Sequence, residues 1–129
     1  MAADDPLASL NSAARAKLER MFANVDEVVG VEHVAAVLAG SPSHGGDDVL
    51  RAYIGLEPSG KAHLGYVILA ETIRNMLAEG VNVLVLLADW HAWVNDKFGS
   101  DMEKIGIAGE YLTEVFRALL DSPQEGDGA

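Results

Sequence analysis

No cysteine occurs among the 129 residues, which excludes disulfides, thiolate metal sites and thiol nucleophiles together. Lysine is scarce, with four in the chain, and lysine plus arginine number 9 against 20 aspartates and glutamates, a net charge of −11. So acidic a chain repels a phosphate backbone at ordinary salt, and direct reading of a nucleic-acid groove is disfavoured. Apolar runs are short: none approaches the roughly 18 residues of a membrane span, and Asp4 and Asp5 spoil a signal-peptide reading. A cytoplasmic address without membrane contact is the expectation. No two histidines share a helix face near a carboxylate at ligand spacing, so no protein-held metal is expected.

What is present supports one folded domain. Half of the residues are hydrophobic and the mean hydropathy is +0.14, enough for a core. Few lysines, many alanines and the carboxylate excess look like adaptation to a salty cytoplasm. At molar salt the Debye length shrinks to about 3 Å and self-repulsion fades.

Three segments follow from composition and periodicity. Residues 1–47 read as an N-terminal helical segment and connector. Leu7, Leu10, Ala14, Leu18 and Met21 make one apolar stripe over 5–22, with Asp5 before Pro6 as the start signal. A short helix is expected over Val31–Leu38, stopped by Gly40 and Pro42, and then a flexible connector Ser41–Asp48. Residues 48–120 carry a strand at Val49–Gly55, a turn at Glu57-Pro58-Ser59-Gly60 and a helix from Leu64 to about Gly80. Val81–Ala88 is almost continuously apolar, as in a strand buried on both faces of a parallel sheet. Ser100 and Glu103 read as a capping box opening a last helix through Leu119. Residues 121–129 are expected to be a frayed tail. Strand, helix, strand, helix is an α/β pattern: half of a doubly wound, Rossmann-like parallel sheet with N-terminal helices.

Ligands of open α/β sheets bind beyond the carboxyl ends of the strands. Two segments meet that description, Glu57–Tyr66 and Asp89–Asn95, and both are rich in reactive side chains. The first leads into a helix N-terminus, whose free amides and positive dipole end favour phosphate. His63 and Lys61 can offer a proton or a charge to a phosphate oxygen, although no Walker loop is present. Plainer readings stay open: His63 as a simple helix-start residue, Tyr53 as a half-buried strand aromatic, Asp89 as a turn cap, and His91 as a buried histidine. Trp90, Trp93 and Phe98 suit packing or subunit contacts, and His33 and His44 have no constellation around them.

Tyr53-Ile54-Gly55-Leu56-Glu57-Pro58-Ser59-Gly60-Lys61-Ala62-His63-Leu64-Gly65 resembles the signature loop of class I aminoacyl-tRNA synthetases, in its archaeal and eukaryotic tyrosyl form. Leu86-Leu87-Ala88-Asp89-Trp90-His91-Ala92-Trp93-Val94-Asn95 is similar to that branch's second strand-and-loop segment. The likeness runs from about Val25 to Leu120. It implies a tyrosine–tRNA ligase activity with ATP as substrate, Mg²⁺ accompanying it, and tRNA(Tyr) as partner. It also implies that Pro58, Ser59, Gly60, His63, Gly65 and Tyr66 hold ATP, with His63 and Lys61 steadying charge at the α-phosphate. On the same grounds Tyr53, Gly55, Glu57, Leu86, Ala88 and His91 hold the amino acid, and the Tyr53 hydroxyl faces the substrate phenol.

Two departures from the family pattern stand out. Tyr66 replaces the motif's second histidine and cannot carry positive charge near a phosphate at neutral pH. The family's later substrate-gripping helix, its lysine-rich loop and its anticodon-reading domain find no counterpart here. Beyond His63 the only lysines are Lys97 and Lys104. An ATP- or tyrosine-binding module or an inactive remnant is therefore a second expectation, and a tryptophanyl-type enzyme a third. An open half-sheet exposes an apolar edge, so a homodimer or a completing partner chain is expected.

Overall fold

The computed structural model describes residues 7–8, 10–39 and 49–121. The expected connector with His44, and the tail beyond Asp121, lie outside them. The described elements are α1 (Ser12–Met21), α2 (Val31–Leu38), β1 (Arg51–Leu56), α3 (Leu64–Ala78), β2 (Asn82–Leu87), α4 (Asp89–Val94) and α5 (Met102–Asp121).

The first helix starts later than its apolar stripe implies. Asp5 and Pro6 fall outside the described residues, and α1 begins where the Asn11 side chain accepts the Ala14 N–H at 2.8 Å. Leu10 closes a turn back to the Leu7 carbonyl instead of lying on the helix. Both leucines still reach the core: Leu10, Ala14, Leu18 and Ala35 form one buried cluster, flanked by Leu7, Val31, Val34 and Leu38. A hydrophobic stripe thus marked the right contacts but overran the helix, because a side-chain cap at Asn11 ends the regular backbone. At the far end of α1, Arg20 makes a two-pronged ion pair with Glu79, 2.5 Å and 3.0 Å, tying α1 to the end of α3.

β1 and β2 pair in parallel, Arg51 opposite Asn82 through Leu56 opposite Leu87, with α3 as the crossover. Strand side chains alternate between faces. On one face Ile54, Leu56, Val83 and Val85 pack against Ala70 and Ile73 of α3 and Phe116 of α5. Gly109 of α5 faces Leu87, where a Cβ would make an ordinary contact at 3.6 Å. Arg74 joins the same two helices, pairing with Glu71 at 2.9 Å and donating to the Leu119 carbonyl.

The other face corrects the expectation for β2. Leu84 and Leu86 are 63% and 51% exposed, so this strand is covered on one side only among the described residues. Its continuous apolar letters describe two faces of which α3 and α5 cover one.

The last helix also starts differently. Ser100 has a left-handed backbone (φ 54°), and its hydroxyl lies 3.0 Å from the Trp93 carbonyl and 2.9 Å from the Asp96 carboxylate. With that proton engaged upstream, the cap falls to Asp101, whose Oδ1 accepts from the N–H groups of Glu103 (3.1 Å) and Lys104 (3.2 Å).

Candidate active site at the carboxyl edge of the sheet

Glu57 follows β1 directly, and the buried Pro58 fixes the turn that carries the chain to α3. His63 caps α3: its Nδ1 accepts the Gly65 N–H at 3.2 Å, and Tyr66 N–H bonds back to the His63 carbonyl. A nitrogen that accepts must be unprotonated, so the neutral ring carries its hydrogen on Nε2 as a donor. The helix-start reading of His63 is the one its hydrogen bond bears out, and that bond leaves Nε2–H as the outward donor. Gly65 has a local reason too, because a Cβ would sit 2.9 Å from the His63 ring. Tyr66 stacks on His63 (centroids 4.6 Å, tilted) and meets Phe116 edge-on. It anchors the loop to the core where the motif's second histidine stands in the family.

The remaining loop residues are open to solvent. Ser59, Gly60 and Lys61 are exposed, and Gly60 and Lys61 border a shallow apolar depression of about 550 Å³ with Phe98, Lys104, Ile107 and Tyr111. Tyr111 of α5 accepts the Ala62 N–H on its hydroxyl at 3.3 Å and steadies the loop from that side.

Beyond β2 the chain is helical rather than looped. Asp89 is the first residue of α4 and accepts the N–H of its neighbour Trp90 at 2.8 Å, while the N-cap position falls on Ala88 with no side-chain cap. His91 stands 70% exposed, which removes the buried-histidine reading. Trp90 and Trp93 meet edge-on and remain largely exposed, while Ala92 alone in α4 is buried.

One carboxylate joins the two segments. Glu57 Oε2 accepts from Asn95 Nδ2 at 2.6 Å and lies 3.9 Å from His91 Nε2, while Oε1 is 3.5 Å from Lys97 Nζ. The Asn95 hydrogen bond, seconded by the Lys97 charge, holds the Glu57 carboxyl below the usual glutamate range. The stretches 57–66 and 86–95 thus meet at one rim of a parallel layer.

Below that rim lies the bare sheet face. Tyr53 is opposite Leu84 and Gly55 opposite Leu86, and Tyr53 is 78% exposed. A Cβ on Gly55 would meet nothing within 4 Å, so no packing among the described residues requires its smallness. Tyr53, Gly55 and Leu86 share this face; Glu57, Ala88 and His91 follow at its rim; His63 and Gly65 begin α3. Asn95, Lys97, Phe98 and Tyr111 were missed as site neighbours by sequence reasoning. Asn95 closes the second quoted block, yet nothing in the letters says that it bonds 38 residues back.

Among the described residues no three imidazole or carboxylate groups converge as metal ligands. No described helix is long and apolar enough to cross a membrane.

A parallel βαβ unit with one face covered by helices, the other bare among the described residues, and two segments meeting at its carboxyl edge is part of an α/β, Rossmann-like fold. Residues 47–124 match the family described as tRNA synthetases class I (W and Y), and the chain belongs to that family. It is similar to the tyrosine–tRNA ligases of Sulfolobus acidocaldarius, 38% identical over 103 residues, and of Sulfurisphaera tokodaii, 36% over 102. Those alignments cover 80% and 79% of this chain but 27% and 26% of the relatives, so the chain spans about a quarter of their length. The solved tyrosyl-tRNA synthetase of Aeropyrum pernix superposes with a TM-score of 0.71 at 33% identity, covering 81% of this chain and 30% of that one. That of Leishmania major, described in complex with tyrosinol, gives 0.70 at 29% identity, covering 85% and 16%.

Proposed function

We propose that this chain is part of the catalytic domain of a tyrosine–tRNA ligase and carries the first half of its adenylation site. The observation that carries the reading is the meeting of the 57–66 and 86–95 segments at Glu57, above a face that bears Tyr53. The reaction is attack of the tyrosine carboxylate oxygen on the α-phosphorus of ATP; the bond to the β-phosphate oxygen breaks and pyrophosphate leaves. The tyrosyl group then passes to a ribose hydroxyl of tRNA(Tyr), the bond to phosphate breaking and AMP leaving, through parts of the relatives that this chain does not span.

The roles follow from chemistry. His63 Nε2–H and the first amides of α3 face phosphate oxygen, with Lys61 adding charge and Pro58, Ser59 and Gly60 shaping the turn. Tyr66 serves as a stacking wall, not a cation. Tyr53 offers its hydroxyl to the substrate phenol, while Gly55, Glu57, Leu86, Ala88 and His91 enclose the amino acid. A hydroxyl reader left unpaired by phenylalanine explains preference for tyrosine. Mg²⁺ belongs, in this reading, to the nucleotide's own phosphates. A cytoplasmic, salt-adapted setting, a domain division near residue 47, and a homodimer or completing chain over the bare face are parts of the same proposal.

Tyrosine-dependent ATP–pyrophosphate exchange by the purified chain tests it, with phenylalanine and tryptophan as controls. Exchange with tyrosine above both controls is the expected result. Calorimetric binding of ATP and tyrosine without exchange instead supports a binding module. The bare Tyr53–Leu86 face favours that second reading for the chain by itself.

A further inference from the structure

The geometry points to Asn95, seconded by Lys97, as a positioning residue that locks Glu57 and thereby fixes the two substrate-facing segments against each other. The argument starts from the backbone. Asp96 adopts a left-handed conformation (φ 55°) between Asn95 and Lys97. That reversal lets both neighbours reach the same carboxylate, Asn95 Nδ2 at 2.6 Å from Oε2 and Lys97 Nζ at 3.5 Å from Oε1. Phe98 and Ser100 repeat the left-handed backbone at φ 54°. Non-glycine residues stay in that region only where their surroundings over-determine them. Here Ser100 Oγ supplies the restraint, lying within hydrogen-bond distance of both the Trp93 carbonyl and the Asp96 carboxylate.

Glu57 is the other half of the device. It leaves β1, Asn95 leaves α4, and their side-chain hydrogen bond spans the two segments. The groups facing its carboxylate are Asn95, Lys97 and the exposed His91 at 3.9 Å. With one oxygen on the amide and the other on the ammonium, the carboxylate is held in one orientation before any ligand arrives. Preorganised groups of this kind spare the substrate the ordering of a free side chain. One of only four lysines in an acidic chain is spent on this contact.

The inference rests on the amino-acid pocket reading for its consequence, but its first measurement does not. The ¹³C carboxyl resonance of Glu57, assigned by its loss in Glu57→Gln, is titrated in the full chain and in Asn95→Ala, with tyrosine affinity measured in parallel by calorimetry. Asn95→Ala is expected to raise the Glu57 midpoint toward the ordinary 4.5, with Lys97→Ala raising it less. Tyrosine affinity should fall about tenfold, the usual effect of one lost charge-assisted hydrogen bond. Asn95→Asp, which keeps the shape and replaces the donor with a second carboxylate, should raise the midpoint further and decides the matter should Asn95→Ala not fold. A Glu57 midpoint unmoved by either Asn95 variant overturns the lock. A midpoint that moves while Glu57→Gln binds tyrosine as the unaltered chain does upholds the lock and overturns the pocket reading.

Discussion

The two faces of the β1–β2 layer are built from alternate residues of the same twelve positions and have opposite fates. Ile54, Leu56, Val83 and Val85 are pressed against α3 and α5. Tyr53, Gly55, Leu84 and Leu86 look out on nothing among the described residues. Because strand side chains alternate with a period of two, one run of letters encodes a core on every second position and an uncovered face on the positions between. Stability and recognition can therefore be altered almost independently, one residue apart.

The sharpest way to break that separation is on the packed side. Phe116 is nearly fully buried between α3, the sheet and Tyr66. Phe116→Ala should cost about 3–5 kcal/mol, from lost burial plus the cavity left behind. Denaturant unfolding checks this, and a loss within 1 kcal/mol would mean that the packed face does not hold the fold.

On the bare side, Tyr53→Phe should leave stability within about 0.5 kcal/mol, as befits an exposed position. Discrimination between tyrosine and phenylalanine should fall by about tenfold, the worth of one polar contact. Calorimetry with both amino acids reads it; equal discrimination in both proteins would remove Tyr53 from the pocket.

Gly65→Ala sharpens the comparison at the rim. An alanine adds helix propensity worth up to about 1 kcal/mol, but its Cβ at 2.9 Å evicts the His63 ring and costs a cap of about 1 kcal/mol. Thermal stability should therefore change little while ATP affinity drops, since the donor tautomer at Nε2 is no longer selected.

The smallest effect is with pH. The carboxyls of Glu57, Glu79 and Asp101 are held below their ordinary values of 4.5, 4.5 and 3.8, chiefly by hydrogen bonds from Asn95, Arg20 and Lys104 respectively. A folded value below the unfolded one gives stability that is complete above the unfolded value and lost as pH falls through the folded one. The thermal midpoint should be flat near neutrality and decline below about 4.5, less so in Asn95→Ala.

Particular residues show how far the letters could be trusted. The helix expected at about Val31–Leu38 stands there, and the structure adds its N-cap, Gly30 with φ 75°. The turn at Glu57-Pro58-Ser59-Gly60 and the helix from Leu64 behind it were equally plain. Three readings failed for one reason: Asn11, Ser100 and β2 each depended on which partner reached a group first. Asn11 outbid the apolar stripe, Ser100 gave its hydroxyl to Trp93 and Asp96, and only one face of β2 found helices to cover it. At the site, the residue types were readable while the Asn95–Glu57 and Tyr111–Ala62 contacts, 38 and 49 residues apart, were not.

Composition and local pattern thus determined the acidic composition, the order of helices and strands, and the two segments that follow the strands at the carboxyl edge of the sheet. Those depend on interactions within a few residues, which spacing records. Tertiary structure decided which strand face is covered, which side chain caps α5, and that Glu57 is held from across the sheet. Such outcomes turn on competition between distant groups for the same proton, oxygen or apolar surface, and a linear spacing carries no trace of who wins.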